Sequence, residues 1–245
     1  MTKLVKIFYY AKFLVPLHAI LCAQSVLSYQ MNLVFASNNA HKLAEVREIM
    51  PAGVTVLSLH DIGFEQEIDE TGLTLAENSM IKAQTVADFV SSQRSAVSCQ
   101  IDGVFADDTG LEIDALGGQP GVFTARWYRL TDGMSATASL NDEMMIFKAN
   151  RAKALRELAG KDNRAAQFKT VITLIRANGE CVQVEGVVRG RIATEEFGQG
   201  GFGYDPIFVP EGYDKTFGEL PAEEKNRISH RARALEALVK ILLDR

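Results

Sequence analysis

Cysteine is scarce in this chain of 245 residues: Cys22, Cys99 and Cys181 are the only three. Their odd number and wide spacing match neither a zinc-ligand pattern nor a disulfide framework, and they fit a reducing, cytoplasmic compartment. Positive charge is not in excess either. Lys and Arg number 26 against 31 Asp and Glu, a formal net charge of −5. A general coat-binder of nucleic acid needs a basic surface, so that role is excluded. No repeat, low-complexity tract or linker divides the sequence, and no apolar run is long and unbroken enough to span a membrane. The glycine-rich phosphate loop that ends in Gly-Lys-Ser/Thr is missing as well.

What remains is 47% hydrophobic and 23% charged, the balance of an α/β protein with ample material for a core. The first thirty residues differ from the rest. Lys3 and Lys6 precede an apolar run from Phe13 to Leu27 that Pro16 and His18 interrupt. Two readings stay open: a signal-like segment, or an extension ahead of a working start at Met31. Bulky Leu21 before Cys22 makes a poor lipoprotein cleavage site. We therefore expect residues 1–30 to be an N-terminal extension and 31–245 to be one mixed α/β domain, with two lobes and a cleft between them.

Asn32 to Ser37 reads as a buried strand, followed by a helix whose Leu43, Val46, Ile49 and Met50 recur at helical spacing. Pro51 to Gly53 stops it, and Val54 to Leu59 predicts a second strand. Thr74 and Glu77 have the form of a capping box, opening a helix to about Val90. Val104 to Ala106 and Leu111 to Leu116 predict two strands, separated by Asp107, Asp108 and a turn at Thr109-Gly110. Ser139 to Leu158 predicts a long helix. Gln167 to Arg176 and Cys181 to Arg189 alternate around Asn178-Gly179, a strong hairpin signal. Pro221 opens the final helical region.

Several constellations bear on chemistry. Asp107 and Asp108 at a strand end present hard oxygen ligands, suited to Mg²⁺, and two adjacent acids favour a cation partner. Ser37, Asn38, Asn39, Ala40, His41 and Lys42 stand where a strand hands over to a helix, so free amides and a lysine make an anion site. Glu70 follows an acidic stretch and becomes a metal ligand only if it meets the aspartates in space. Gly198 to Gly203 matches the spacing of a dinucleotide fingerprint but lacks the strand before it and the helix after it. A loop carrying Phe202, Gly203, Tyr204 and Asp205 suits a flat polar ring, since base–aromatic stacking is worth about 1–3 kcal/mol. Lys225, His230 and Arg231 lie together on the last helical region, and lysine and arginine suit phosphate. Each has an ordinary reading when taken alone: a capped helix, a solvated loop, a structural turn, a basic helix start. Jointly they supply metal ligands, phosphate ligands and a base platform.

Six motifs occur in order: Ser37-Asn-Asn-Ala-His-Lys42, Glu70-Thr-Gly72, Phe105-Ala-Asp-Asp-Thr-Gly-Leu111, Gly118-Gln-Pro-Gly-Val-Phe-Thr-Ala-Arg126, Gly201-Phe-Gly-Tyr-Asp-Pro-Ile-Phe208 and Lys225-Asn-Arg-Ile-Ser-His-Arg231. Together they resemble the inosine triphosphate pyrophosphatases, also called dITP/XTP pyrophosphatases, from about Met31 onward. Asn38 stands where many relatives have glycine, and Thr109 where many have serine. The resemblance implies an elongated mixed β-sheet with flanking helices, two lobes around a nucleotide cleft, and a homodimer. It implies Mg²⁺-dependent hydrolysis of ITP, dITP and XTP to the monophosphate and pyrophosphate, which keeps them out of DNA and RNA. By motif, Asp108 is implied as proton acceptor and metal ligand, Glu70 as a further metal ligand, and Asp107 as a supporting neighbour. Ser37, Asn38, Asn39, Ala40, His41, Lys42 and Lys225 are implied as triphosphate contacts, and Thr109 as a substrate contact. Phe202, Gly203, Tyr204 and Asp205 would hold the base, with His230 and Arg231 discriminating among purines.

Overall fold

Met31 to Phe35 is apolar at every position but Asn32, and a strand apolar on both faces belongs inside a sheet. It forms β1 (Met31–Phe35), flanked in parallel by β2 (Val54–Leu57) and β3 (Gly103–Ile113). The computed structural model describes residues 30–93, 100–130 and 142–243. Residues 1–29 of the N-terminal segment lie outside the described residues, as do Cys22 and Cys99. Beyond β3 the sheet turns antiparallel through β5 (Ala165–Arg176), β6 (Cys181–Ile192) and β7 (Phe208–Pro210), while the short β4 (Pro120–Gly121) pairs with the far end of β3. The seven strands run in the order β2-β1-β3-β5-β6-β7, with β4 off that path. This is the mixed sheet expected from the sequence.

Local chemistry explains most boundaries. The β5–β6 hairpin closes where Gly179 takes a φ of 88° and Asn178 Oδ1 accepts the Glu180 N–H at 2.9 Å. Described helices are α1 (Ala40–Ile49), α2 (Leu75–Ser92), α3 (Glu143–Glu157), α4 (Ala222–Ile228) and α5 (His230–Leu243). Thr74 and Glu77 form the full capping box at the start of α2. The helix expected from Ser139 begins instead at Glu143, where the Asp142 carboxylate accepts the Met144 N–H; residues 139–141 lie outside the described residues. The strand expected through Leu59 stops at Leu57, as the chain enters a 3-10 turn at His60–Ile62.

One correction matters for function. Asp107 and Asp108 do not end a strand, and Thr109-Gly110 is not a turn. β3 runs unbroken from Gly103 to Ile113, because β5 pairs with it residue for residue along that whole length. The expected second strand is the far half of the same one, and Asp114–Leu116 forms a 3-10 turn.

Buried apolar side chains form separate clusters. Two of them lie on opposite faces of the β1 end, one under α5 (Phe35, Phe105, Leu235, Leu238) and one under α2 (Val34, Ala83, Val86, Ala106). Another fills the opposite end around Ile113, Trp127, Phe208 and Phe217. Helix α5 reaches the sheet through a missing side chain. A Cβ on Gly186 of β6 would stand 2.1 Å from the His230 carbonyl oxygen and 2.3 Å from the Ala234 nitrogen. Gly186 therefore sets how closely the start of α5 approaches β6. Gly186→Ala is expected to destabilise the protein by about 1–3 kcal/mol through overpacking, read as a lower urea midpoint at unchanged slope.

Candidate active site

The cleft opens where β3 loses a partner. β1 pairs with β3 only as far as Phe35 opposite Phe105, and β4 joins only at Leu111. From Ala106 to Gly110 that edge has no strand neighbour among the described residues. The place is also a topological switch point: β1 has β2 on one side and β3 on the other, and its carboxyl end faces the gap, where ligands of open α/β sheets settle.

The strand's period of two then separates the aspartates. Asp107 shares a face with Phe105 and Thr109, toward α1 and α5, where Lys42 Nζ lies 2.8 Å from one of its oxygens and Arg231 Nε 3.0 Å from the other. It is 1% exposed and does not line the cleft. Burial opposes its ionisation, but Lys42 and Arg231 outweigh that and hold the carboxyl far below the usual range. Asp108 points to the opposite face, toward α2, and lines the cleft. Lys82 Nζ lies 2.8 Å from Asp108 Oδ1 and 3.3 Å from Glu70 Oε1. Burial raises the Asp108 pKa despite the pull of Lys82 and Lys42. Burial works against the Lys82 ammonium, yet Asp108 and Glu70 prevail and raise its pKa. Asp108 Oδ2 is buried and accepts no hydrogen bond from the protein.

From Asp107 a chain of alternating charge crosses the molecule. Arg231 also pairs with Glu45 of α1, Glu45 with Lys225 at 2.7 Å, and Lys225 with Asp205 at 2.7 Å. Lys225 and Arg231 are thus buried ion-pair members, not a solvated basic helix start. At the start of α1, the Asn39 side chain caps the Lys42 N–H at 2.9 Å, leaving the Ala40 and His41 amides without an intrahelical acceptor.

The other end of the cleft is aromatic. Phe202 presents its ring with Lys225 Nζ 4.7 Å and Arg231 Cζ 5.7 Å from its centre. Tyr204 and Asp205 are less displayed than the sequence suggested. The buried Tyr204 hydroxyl donates to the Thr124 carbonyl at 3.0 Å, and Asp205 accepts the Phe202 N–H at 2.7 Å. They brace the loop, as does Arg151, which donates to the Gly203 carbonyl at 2.8 Å. His230 stacks on Phe168 with ring centres 4.6 Å apart, and its buried Nδ1 has no partner. Burial, then Arg231 and Lys225, push its pKa well below 6.5, so its ring is neutral.

Ser37, Asn38, Asn39, Lys42, Glu70, Asp108, Thr109, Phe202, Gly203, Tyr204, Asp205, Lys225, His230 and Arg231 all line this one cleft. Ala40 and His41 do not. The His41 ring stacks on Phe202 instead, 5.3 Å away at 14°. Lys225, expected among the triphosphate contacts, lies at the aromatic end. Sequence reasoning missed Lys82 and Glu45. Lys82 carried a signal, a charge sharing the buried stripe of α2 with Asn78, Ser79, Ala83 and Val86; Glu45, which helical spacing puts on the outer face of α1, is covered only because Lys225 and Arg231 pair with it.

Carboxylates and lysines at one end of a switch-point cleft, with an aromatic slot at the other, define an α/β protein built for an anionic ligand that carries a flat ring. The Ham1 family model matches residues 33–241, and the chain belongs to that family. It is 43% identical over 212 residues to the dITP/XTP pyrophosphatase of Flavobacterium johnsoniae, covering 86% of this chain and 98% of that protein. It is likewise 43% identical over 212 residues to the dITP/XTP pyrophosphatase of Bacillus subtilis, covering 85% and 96%. Among solved structures it is similar to the Staphylococcus aureus Ham1 protein, with a TM-score of 0.69 and 34% identity over 86% of this chain and 97% of that one.

Neutral His230 makes stability depend on pH. The unfolded chain binds its proton below about pH 6.5, whereas the folded one resists it. The contribution is therefore complete above that pH and is lost on acidification, at up to about 1.4 kcal/mol per pH unit. His230→Asn should remove about 1.4 kcal/mol of the fall in unfolding free energy between pH 7.5 and 5.5, as read by urea titration.

Proposed function

We propose that this protein is a nucleoside triphosphate pyrophosphatase acting on ITP, dITP and XTP, releasing pyrophosphate and leaving the monophosphate. One observation carries the reading. Asp108, whose buried Oδ2 has no protein partner, lines one cleft with Glu70 and the α1 anion site, in a chain akin over 85–86% of its length to proteins named for that reaction.

The donor set fits Mg²⁺: two carboxylates with hard oxygens, one of them carrying an unpaired buried atom. Among the described residues no third acid, His or Cys joins them, and Mg²⁺ commonly takes its other ligands from water and phosphate. Glu70 and Asp108 would hold the ion, which when bound neutralises phosphate charge and favours attack by water. The chain's own part is positioning and proton transfer. The free amides of α1, the side chains of Ser37, Asn38 and Asn39, and Lys42 receive the triphosphate. Asp108, its pKa raised by burial, takes the proton of the attacking water. A bond forms from that water to the α-phosphorus as the α–β bridging bond breaks, and pyrophosphate leaves. Thr109 lines the same cleft from the Asp107 face of β3, its hydroxyl 2.8 Å from that of Thr170.

At the other end the purine lies in the aromatic slot at Phe202, whose ring is already held by His41 and Lys225. The unpaired Nδ1 of His230, with Arg231, reads the ring edge. A site built around such buried polar groups penalises a ring that leaves them unpaired. The homodimer and action in the cytoplasm belong to the same proposal. Leu73, 83% exposed, with Phe123 and Leu130 rims one groove beside Pro120, the surface we assign to a second copy of the chain. No helix among the described residues is long and apolar enough to cross a membrane.

Pyrophosphate release from ITP, dITP, XTP, ATP and GTP with Mg²⁺ tests the reading. The first three should be preferred in kcat/KM, and Asp108→Asn should lower kcat by about 10²–10⁴-fold with a smaller change in KM. Equal turnover by Asp108→Asn, or nucleotide binding with no hydrolysis, would overturn it.

A further inference from the structure

The two carboxylates assigned to the metal are already engaged. One ammonium, Lys82 Nζ, sits 2.8 Å from Asp108 and 3.3 Å from Glu70, and the lysine side chain is 9% exposed. Its base is fixed, because it shares the buried face of α2 with Ser79, whose hydroxyl contacts the Ala106 carbonyl and Thr173, each at 2.9 Å. Arg126 approaches the other Glu70 oxygen at 4.0 Å, and Lys42 adds a second positive charge near Asp108. Positive charge therefore already stands where a divalent ion must go.

We propose that Lys82 is a built-in counter-cation that keeps Glu70 and Asp108 closed to a free divalent ion, so that metal and nucleotide bind as a coupled pair. On the Mg²⁺ reading above, on which this proposal rests, an ion arriving alone meets an ammonium that repels it and carboxylates already neutralised. A triphosphate gives the ammonium other oxygens to pair with. The flexible four-carbon stem of lysine lets the tip move while its base stays packed. The coupling is reciprocal, so whatever the nucleotide adds to metal affinity, the metal adds to nucleotide affinity.

Calorimetric titration of Mn²⁺, without nucleotide, into wild type, Lys82→Arg and Lys82→Gln tests this. Wild type and Lys82→Arg should bind weakly, and Lys82→Gln at least about tenfold more tightly, a difference of about 1.4 kcal/mol. A purely structural role would weaken binding in every variant. A second measurement needs only wild type and the Arg variant. The Lys82 ammonium resonance, assigned by its loss in Lys82→Arg, should stay in place with Mg²⁺ alone and shift when Mg²⁺ and α,β-methylene-ITP are added together. Wild type binding Mn²⁺ as tightly as Lys82→Gln, or Mg²⁺ alone displacing the resonance, overturns the counter-cation and leaves the pyrophosphatase reading intact. No Mn²⁺ binding by any of the three proteins, even with the analogue present, overturns the metal reading and this inference with it.

Discussion

Six charges, three of each sign, alternate from Lys42 through Asp107, Arg231, Glu45 and Lys225 to Asp205, and they tie together five of the segments that surround the cleft. Lys42 and Glu45 come from α1, Asp107 from β3, Lys225 from α4, Arg231 from α5 and Asp205 from the glycine loop. Water reaches few of them, so each is stable only while its neighbours stay in place. Deleting one member of a buried pair commonly costs about 3–5 kcal/mol, because the partner is left charged and uncompensated. That penalty makes the geometry of the site a condition of folding. It also lets a protein of net charge −5 line its cleft with five cations, Lys42, Lys82, Arg126, Lys225 and Arg231, against three acids, Glu70, Asp108 and Asp205.

Within that frame the two aspartates divide the work by strand geometry alone. Consecutive residues of β3 face opposite sides of the sheet, so Asp107 meets Lys42 and Arg231 while Asp108 meets Lys82 and the cleft. Asp107 is thereby a structural counterion that aims two cations. Asp108 is left with a raised pKa and one free oxygen, the properties of a proton acceptor or metal ligand. The gap between β1 and β4 along the edge of β3 is what lets a ligand reach it.

Much of the fold was legible from local signals. The apolar run of β1, the capping box of Thr74 and Glu77, and the Asn178-Gly179 hairpin each act within a few residues, and the structure contains all of them. The glycine motif from Gly198 to Gly203 lacks the context of a dinucleotide fingerprint in the structure as in the sequence, since a 3-10 turn follows it instead of a long helix. The error at Thr109-Gly110 came from treating acids and glycine as breakers. Pairing with β5 carries the strand straight through them, and no local pattern reveals a partner some sixty residues away.

By itself the sequence determined most of the longer strands and helices, though not β4, β7 or the continuity of β3, together with the family motifs and the residue types on hand for phosphate, metal and base. Those properties reside in short segments, whose periodicity and caps are local physics. Only the tertiary structure decided the partners: that Lys82 spans Glu70 and Asp108, that Glu45 ties Arg231 to Lys225, and that His41 lies against Phe202 rather than in the cleft wall. The energy of a buried charge depends on what surrounds it, and its surroundings come from distant parts of the chain.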